Sequence, residues 1–107
     1  MAYDEELAGR IRELVAGEPG LTEQKMFGGL AFLVNGNIAV AASGQGGILV
    51  RVDPAESAEL VSSTGAEEMV MRGRAMAGWL RAEPTEDELP GWVERGVGYA
   101  RSLPPKR

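Results

Sequence analysis

The chain has 107 residues, 44% apolar and 25% charged, the composition of one soluble globular domain with room for a single modest core. It contains no cysteine and no histidine, which excludes disulfides, thiolate nucleophiles, iron–sulfur clusters, Cys/His zinc sites and every Ser-His or Cys-His catalytic arrangement. The net charge of −5 has the wrong sign for wholesale neutralisation of nucleic-acid phosphates, so only a local basic patch could hold a polyanion.

Tyr3, Leu7, Ile11, Leu14 and Val15 recur at helical spacing and predict an amphipathic helix over residues 3–16, ended by Gly17, Pro19 and Gly20. The run 26–34 is almost continuously apolar and reads as a strand, with Gly28 and Gly29 inside it; Ile38 to Ala42 reads as a second. Between them Asn35-Gly36 suits a type I′ turn, the strongest hairpin signal in the chain. With that turn Leu33 faces Ile38, Phe32 faces Ala39 and Ala31 faces Val40. One sheet face then carries Ala31, Leu33, Ile38 and Val40, and the other Leu30, Phe32, Val34, Ala39 and Ala41. Both faces are apolar, so the hairpin is expected to be covered on two sides.

Ser43-Gly44-Gln45-Gly46-Gly47 turns into a third strand, Ile48 to Val52. Asp53 as N-cap, Pro54 at the first helical position and Glu56 start a short helix to about residue 61, broken by Ser62-Ser63-Thr64-Gly65. Two strands, about 68–72 and 77–83, flank Gly73. Thr85 with Glu88 forms a capping signature for a last helix carrying Leu89, Trp92, Val93, Val97 and Ala100. Pro90 requires either a kink or a regular helix that begins there. The order α-β-β-β-α-β-β-α describes one α+β domain over residues 1–107, built on a mainly antiparallel five-stranded sheet. No run approaches a spanning helix and the acidic start lacks the features of a signal peptide, so the expected location is cytoplasmic, without a membrane partner.

Candidate chemistry is sparse, and no cofactor or metal is implied. A general acid or base would have to be a carboxylate, Lys25, Lys106 or a tyrosine, which makes an enzyme the minority reading. Gly44-Gln45-Gly46-Gly47 lacks the lysine and following helix of a P-loop and reads as a hairpin turn. Gly28-Gly29 within a strand marks a bulge or a close approach by backbone or ligand. Alternation could gather Arg51, Arg72, Trp79 and Arg81 on one sheet face with Arg74 at its rim, a group able to bind a carboxylate or phosphate; pairing with the many glutamates or a subunit interface is the alternative. Met26, Met69, Met71 and Met76 suit either core filling or an adaptable peptide-binding surface. Glu86-Asp87-Glu88 fits a first helical turn better than a metal loop. Gly91, Gly96 and Gly98 in the last helix imply close approach by a neighbouring strand or a second subunit.

Lys25-Met26-Phe27-Gly28-Gly29-Leu30-Ala31-Phe32, the Asn35-Gly36 hairpin and Leu49-Val50-Arg51-Val52-Asp53 resemble the opening of the TfoX N-terminal domain family. Gly73 to Trp79 and Trp92-Val93-Glu94-Arg95-Gly96-Val97 are similar to its small stand-alone bacterial members. The resemblance implies an α-β-β-β-α-β-β-α fold of secretion-chaperone-like type. Longer relatives regulate competence genes and carry a second, C-terminal domain for which these residues leave no room, so the resemblance implies the module alone and no catalytic residue. What it carries over is Met26, Phe27, Gly28 and Gly29 as a motif.

These readings converge on a non-enzymatic binding or regulatory module acting through protein contacts and as a homodimer, because three helices are few to cover a hairpin apolar on both faces. The alternative is an anion- or nucleic-acid-binding protein using the arginine and tryptophan face.

Overall fold

The structure is a computed structural model and describes residues 4–26, 28–44, 46–71 and 73–105. Helix α1 (Glu5–Val15) starts where Asp4 accepts the amides of Glu6 and Leu7 at 2.9 and 3.1 Å. It presents Ala8, Ile11 and Val15 to the core. Strands β1 (Leu21–Met26), β2 (Gly29–Val34), β3 (Asn37–Ala42) and β4 (Ile48–Arg51) follow, then α2 (Pro54–Thr64), β5 (Glu67–Met71), β6 (Arg74–Ala82) and α3 (Leu89–Ser102). All pairings are antiparallel, and the sheet runs β1-β2-β3-β4-β6-β5. No helix among the described residues is long and apolar enough to cross a membrane.

The α+β class and the antiparallel sheet match the sequence reading, but the sheet has six strands, not five. The added strand is β1, Leu-Thr-Glu-Gln-Lys-Met, polar on both sides and largely exposed. An edge strand needs no apolar alternation, since charges there discourage pairing with other chains. It follows that 26–34 is not one strand: Met26 pairs with Gly29 and the chain reverses between them. Gly29 is needed there because a Cβ would overlap the Ala42 carbonyl oxygen of β3. The close approach is therefore by backbone.

The Asn35-Gly36 turn forms as expected, with φ of 52° and 83°. Leu33 faces Ile38 as read, but the register then shifts, and Phe32 pairs with Val40 and Ala31 with Ala41. Ala39 is the extra residue of this bulge. It turns Val40 to the helix-covered core and Ala41 to the opposite face, reversing both sequence assignments. Helix α3 shows why the bulge sits there: Gly96 presses on Ala39, and a Cβ on Gly96 would overlap the Ala39 carbonyl oxygen. The expected close approach is thus met by a strand at Gly96, while nothing lies near Gly91 or Gly98.

Helix α2 runs three residues past the expected end. The Ser62 and Thr64 hydroxyls donate to the Glu59 and Leu60 carbonyls, which lets the serine-rich stretch stay helical until Gly65 stops it in a left-handed conformation. Thr85 and Glu88 form the reciprocal capping pair, and α3 begins at Leu89 with Pro90 in its first turn, so no kink is required.

All three helices lie on one side of the sheet. Ile11, Leu60, Leu89, Val93 and Val97 pack there against Phe32, Val34, Val40, Ile48, Val50 and Leu80.

Candidate functional site

The other side of the sheet carries a second cluster, Ala31, Leu33, Ala41 and Leu49, to which no described helix residue belongs. These residues are nonetheless at most 8% exposed. They are covered by side chains of the sheet itself: Met26 and Ile38 from one flank, Met69, Met76 and Trp79 from the other. Met26 lies on β1 and Met69 on β5, the two edges of the sheet, yet both line one groove of ≈ 150 Å³. A flat sheet would hold its edges about 24 Å apart at 4.8 Å per strand. The sheet is therefore strongly curled and concave on this side, helped by register shifts in β2–β3 and β5–β6. The hairpin is apolar on both faces and buried on both, but the second face is closed by curvature and not by a helix.

Arg51 stands beside this groove. Directly paired residues share a face, and Arg51 pairs with Trp79 and Leu49 with Arg81. The Arg51 guanidinium lies 4.9 Å from the Trp79 ring centre and 5.6 Å from that of Tyr99 on α3. Pairing of β3 with β4 stops at Val40–Val50, one residue short of Arg51, which is where a side chain from the helix layer meets one from the concave face. The Arg51 Nε is buried and has no hydrogen-bond acceptor.

The expected constellation forms in part. Arg51 and Trp79 meet. Arg81 shares their face and donates to the Gly46 carbonyl at 3.3 Å, opposite Glu67. Arg74 is exposed at the start of β6, on the same face as Met76 by alternation but outside the aromatic stack. Arg72 and Phe27 lie outside the described residues. Gly28 is exposed and a Cβ on it would meet nothing, and among the described residues of the Met-Phe-Gly-Gly motif Met26 lines the groove. Tyr99 was missed because its helical position carries no special spacing.

A larger concavity lies elsewhere, a shallow polar trough of ≈ 690 Å³ between the end of α2 and the start of α3 that contains Glu67, Glu83, Asp87 and Arg95. Its size reflects openness to water, whereas the small groove is apolar and lined by half-buried and buried side chains. No described group of three metal-ligating side chains comes together. The perturbed carboxylates are Glu18 and Glu23, each held below the usual range chiefly by its hydrogen bonds from an arginine, Arg101 and Arg12 respectively. The same bond raises Arg101.

A family model, the TfoX N-terminal domain, matches residues 13–99. The chain belongs to this family. The match runs from the middle of α1 to Tyr99, so this TfoX N-terminal domain includes the whole curled sheet, the groove and the aromatic stack on Arg51. No curated protein and no solved structure matches the chain. The secretion-chaperone likeness of the TfoX domain consequently rests on the family resemblance alone.

Proposed function

We propose that this TfoX N-terminal domain is a cytoplasmic, non-enzymatic binding module of the competence-regulator-like kind, and that its contacts are with protein, made on the concave face of the sheet. One observation carries the reading: three methionines and a tryptophan from β1, β5 and β6 wall a groove floored by Ala31, Ala41 and Leu49. Methionine and tryptophan give an adaptable, apolar contact surface, and a concave apolar patch is where a partner's side chain gains most from leaving water. The absence of histidine and cysteine supports a non-enzymatic role.

Photo-methionine incorporated in cells tests this reading. Cross-links to partner peptides should map to Met26, Met69 and Met76, and an absence of adducts on all three would refute it. Self-association belongs to the same proposal: β5 is a free edge of the sheet and its Val70 is 64% exposed, a surface two copies could share. Sedimentation that finds only monomer at high concentration removes this part.

The second reading is an anion or nucleic-acid site on the same face, favoured by the unpartnered Arg51 Nε. It requires salt-sensitive binding of an oligonucleotide that Arg51→Ala abolishes.

A further inference from the structure

We infer that the occupant of the concave face is an extended peptide segment of a partner protein bearing a large apolar residue and, two positions away, a carboxylate that Arg51 receives. This rests on the docking reading above and adds the chemistry of the partner.

The first argument is size. A cavity of about 150 Å³ holds a benzene ring, whereas sites for free metabolites run from about 300 to 1,000 Å³. The groove is ≈ 150 Å³ and so takes one side chain. A lipid chain or a whole cofactor would leave most of its apolar surface in water.

The second argument is Arg51. Its guanidinium lies over the rings of Trp79 and Tyr99, 4.9 and 5.6 Å from their centres, two cation–π contacts that position it. None of the ion pairs formed among the described residues uses it, although the chain carries sixteen carboxylates. The side chain is half-buried, and a carboxylate meeting the terminal nitrogens of its guanidinium would make two parallel charge-assisted bonds. Of the cations on this face, Arg81 is paired with Glu67 across β5–β6 and donates to the Gly46 carbonyl, and it is Arg51 that stands beside the groove.

The third argument is juxtaposition. Trp79 is both a wall of the groove and the platform for Arg51, so the apolar pocket and the cation are one ring apart. In an extended peptide, residues i and i+2 point the same way about 7 Å apart, a spacing that spans one ring. A phosphate backbone would instead need clustered cations and has no use for the apolar groove.

Selection of short random displayed peptides on the full chain tests the inference. Enriched sequences should pair a Leu, Ile, Met or Phe with an Asp or Glu two positions away. A synthetic peptide of that sequence should lose about tenfold or more in affinity when its acid is changed to the amide, measured on the unaltered protein so that no folding defect intervenes. Arg51→Gln should cost the acidic peptide a similar factor and the amide peptide little, while Met69→Ala weakens both. Apolar peptides that need no acid, yet depend on Met69, would overturn the carboxylate and leave the docking reading standing. No enrichment, or affinity indifferent to both Met69 and Arg51, would overturn both. Displacement of the peptide by a single-stranded oligonucleotide at low salt, or a dimer broken by Met69→Ala, would overturn the inference in favour of nucleic acid or of a second copy.

Discussion

The helix-covered face and the concave face of the sheet bury apolar residues by different means. On the first, bulky aliphatic side chains and Phe32 interlock with three helices, and Gly96 lets α3 touch the β3 backbone. On the second, Ala31, Leu33, Ala41 and Leu49 form a floor, and methionines and a tryptophan from β1, β5 and β6 lean over it. Rigid interlocking holds the fold together, whereas a groove walled by flexible methionines leaves room that a partner can fill. Stability and binding should therefore separate by face.

Substitutions can break that comparison or sharpen it. Phe32→Ala should have the largest effect, about 3–5 kcal/mol of unfolding free energy, read by denaturant titration. A loss much below this would mean that the helix face is not the structural core. Gly96→Ala follows at about 1–3 kcal/mol, because the added methyl forces α3 from the bulge. Unchanged stability there would show that the bulge does not depend on α3. On the concave side, Met69→Ala should cost only about 1 kcal/mol, since Met69 is partly exposed, while weakening partner contacts far more. Equal losses on the two faces would erase the distinction.

The smallest effect lies at the β1 margin of the helix-covered face. Glu23 receives two hydrogen bonds from Arg12, at 2.8 and 2.9 Å, and these hold its carboxyl below the usual range. Its contribution is complete above the unfolded carboxylate pKa and is lost as pH falls through the lowered folded value. Glu23→Gln should therefore cost about 0.5 kcal/mol at neutral pH and nothing at acid pH, a difference that thermal unfolding across pH can read.

How much of the site could be seen in the chain depended on neighbours. Alternation along β4 was enough to put Arg51 opposite the core, because Ile48 and Val50 are unmistakably interior. That Trp79 pairs with it required the β4–β6 register, which follows from a long connection through α2 and β5. Met69 and Met76 were legible as a choice between core and surface, and the curl of the sheet makes them both at once. Tyr99 reaches Arg51 because β3 leaves β4 early, a long-range event without local trace.

Turns and caps were written in adjacent residues: Asn35-Gly36, Asp53-Pro54 and the Thr85–Glu88 pair each satisfy backbone groups within a few positions. Periodic apolar residues likewise settled the α+β class. The sixth strand, the bulge at Ala39 and the curvature that turns an apolar ribbon into a groove came from packing between distant segments. β1 is a strand because β2 offers it an edge, and Ala39 bulges where α3 bears on it. Such contacts depend on how segments far apart in the chain meet, and no local preference records that.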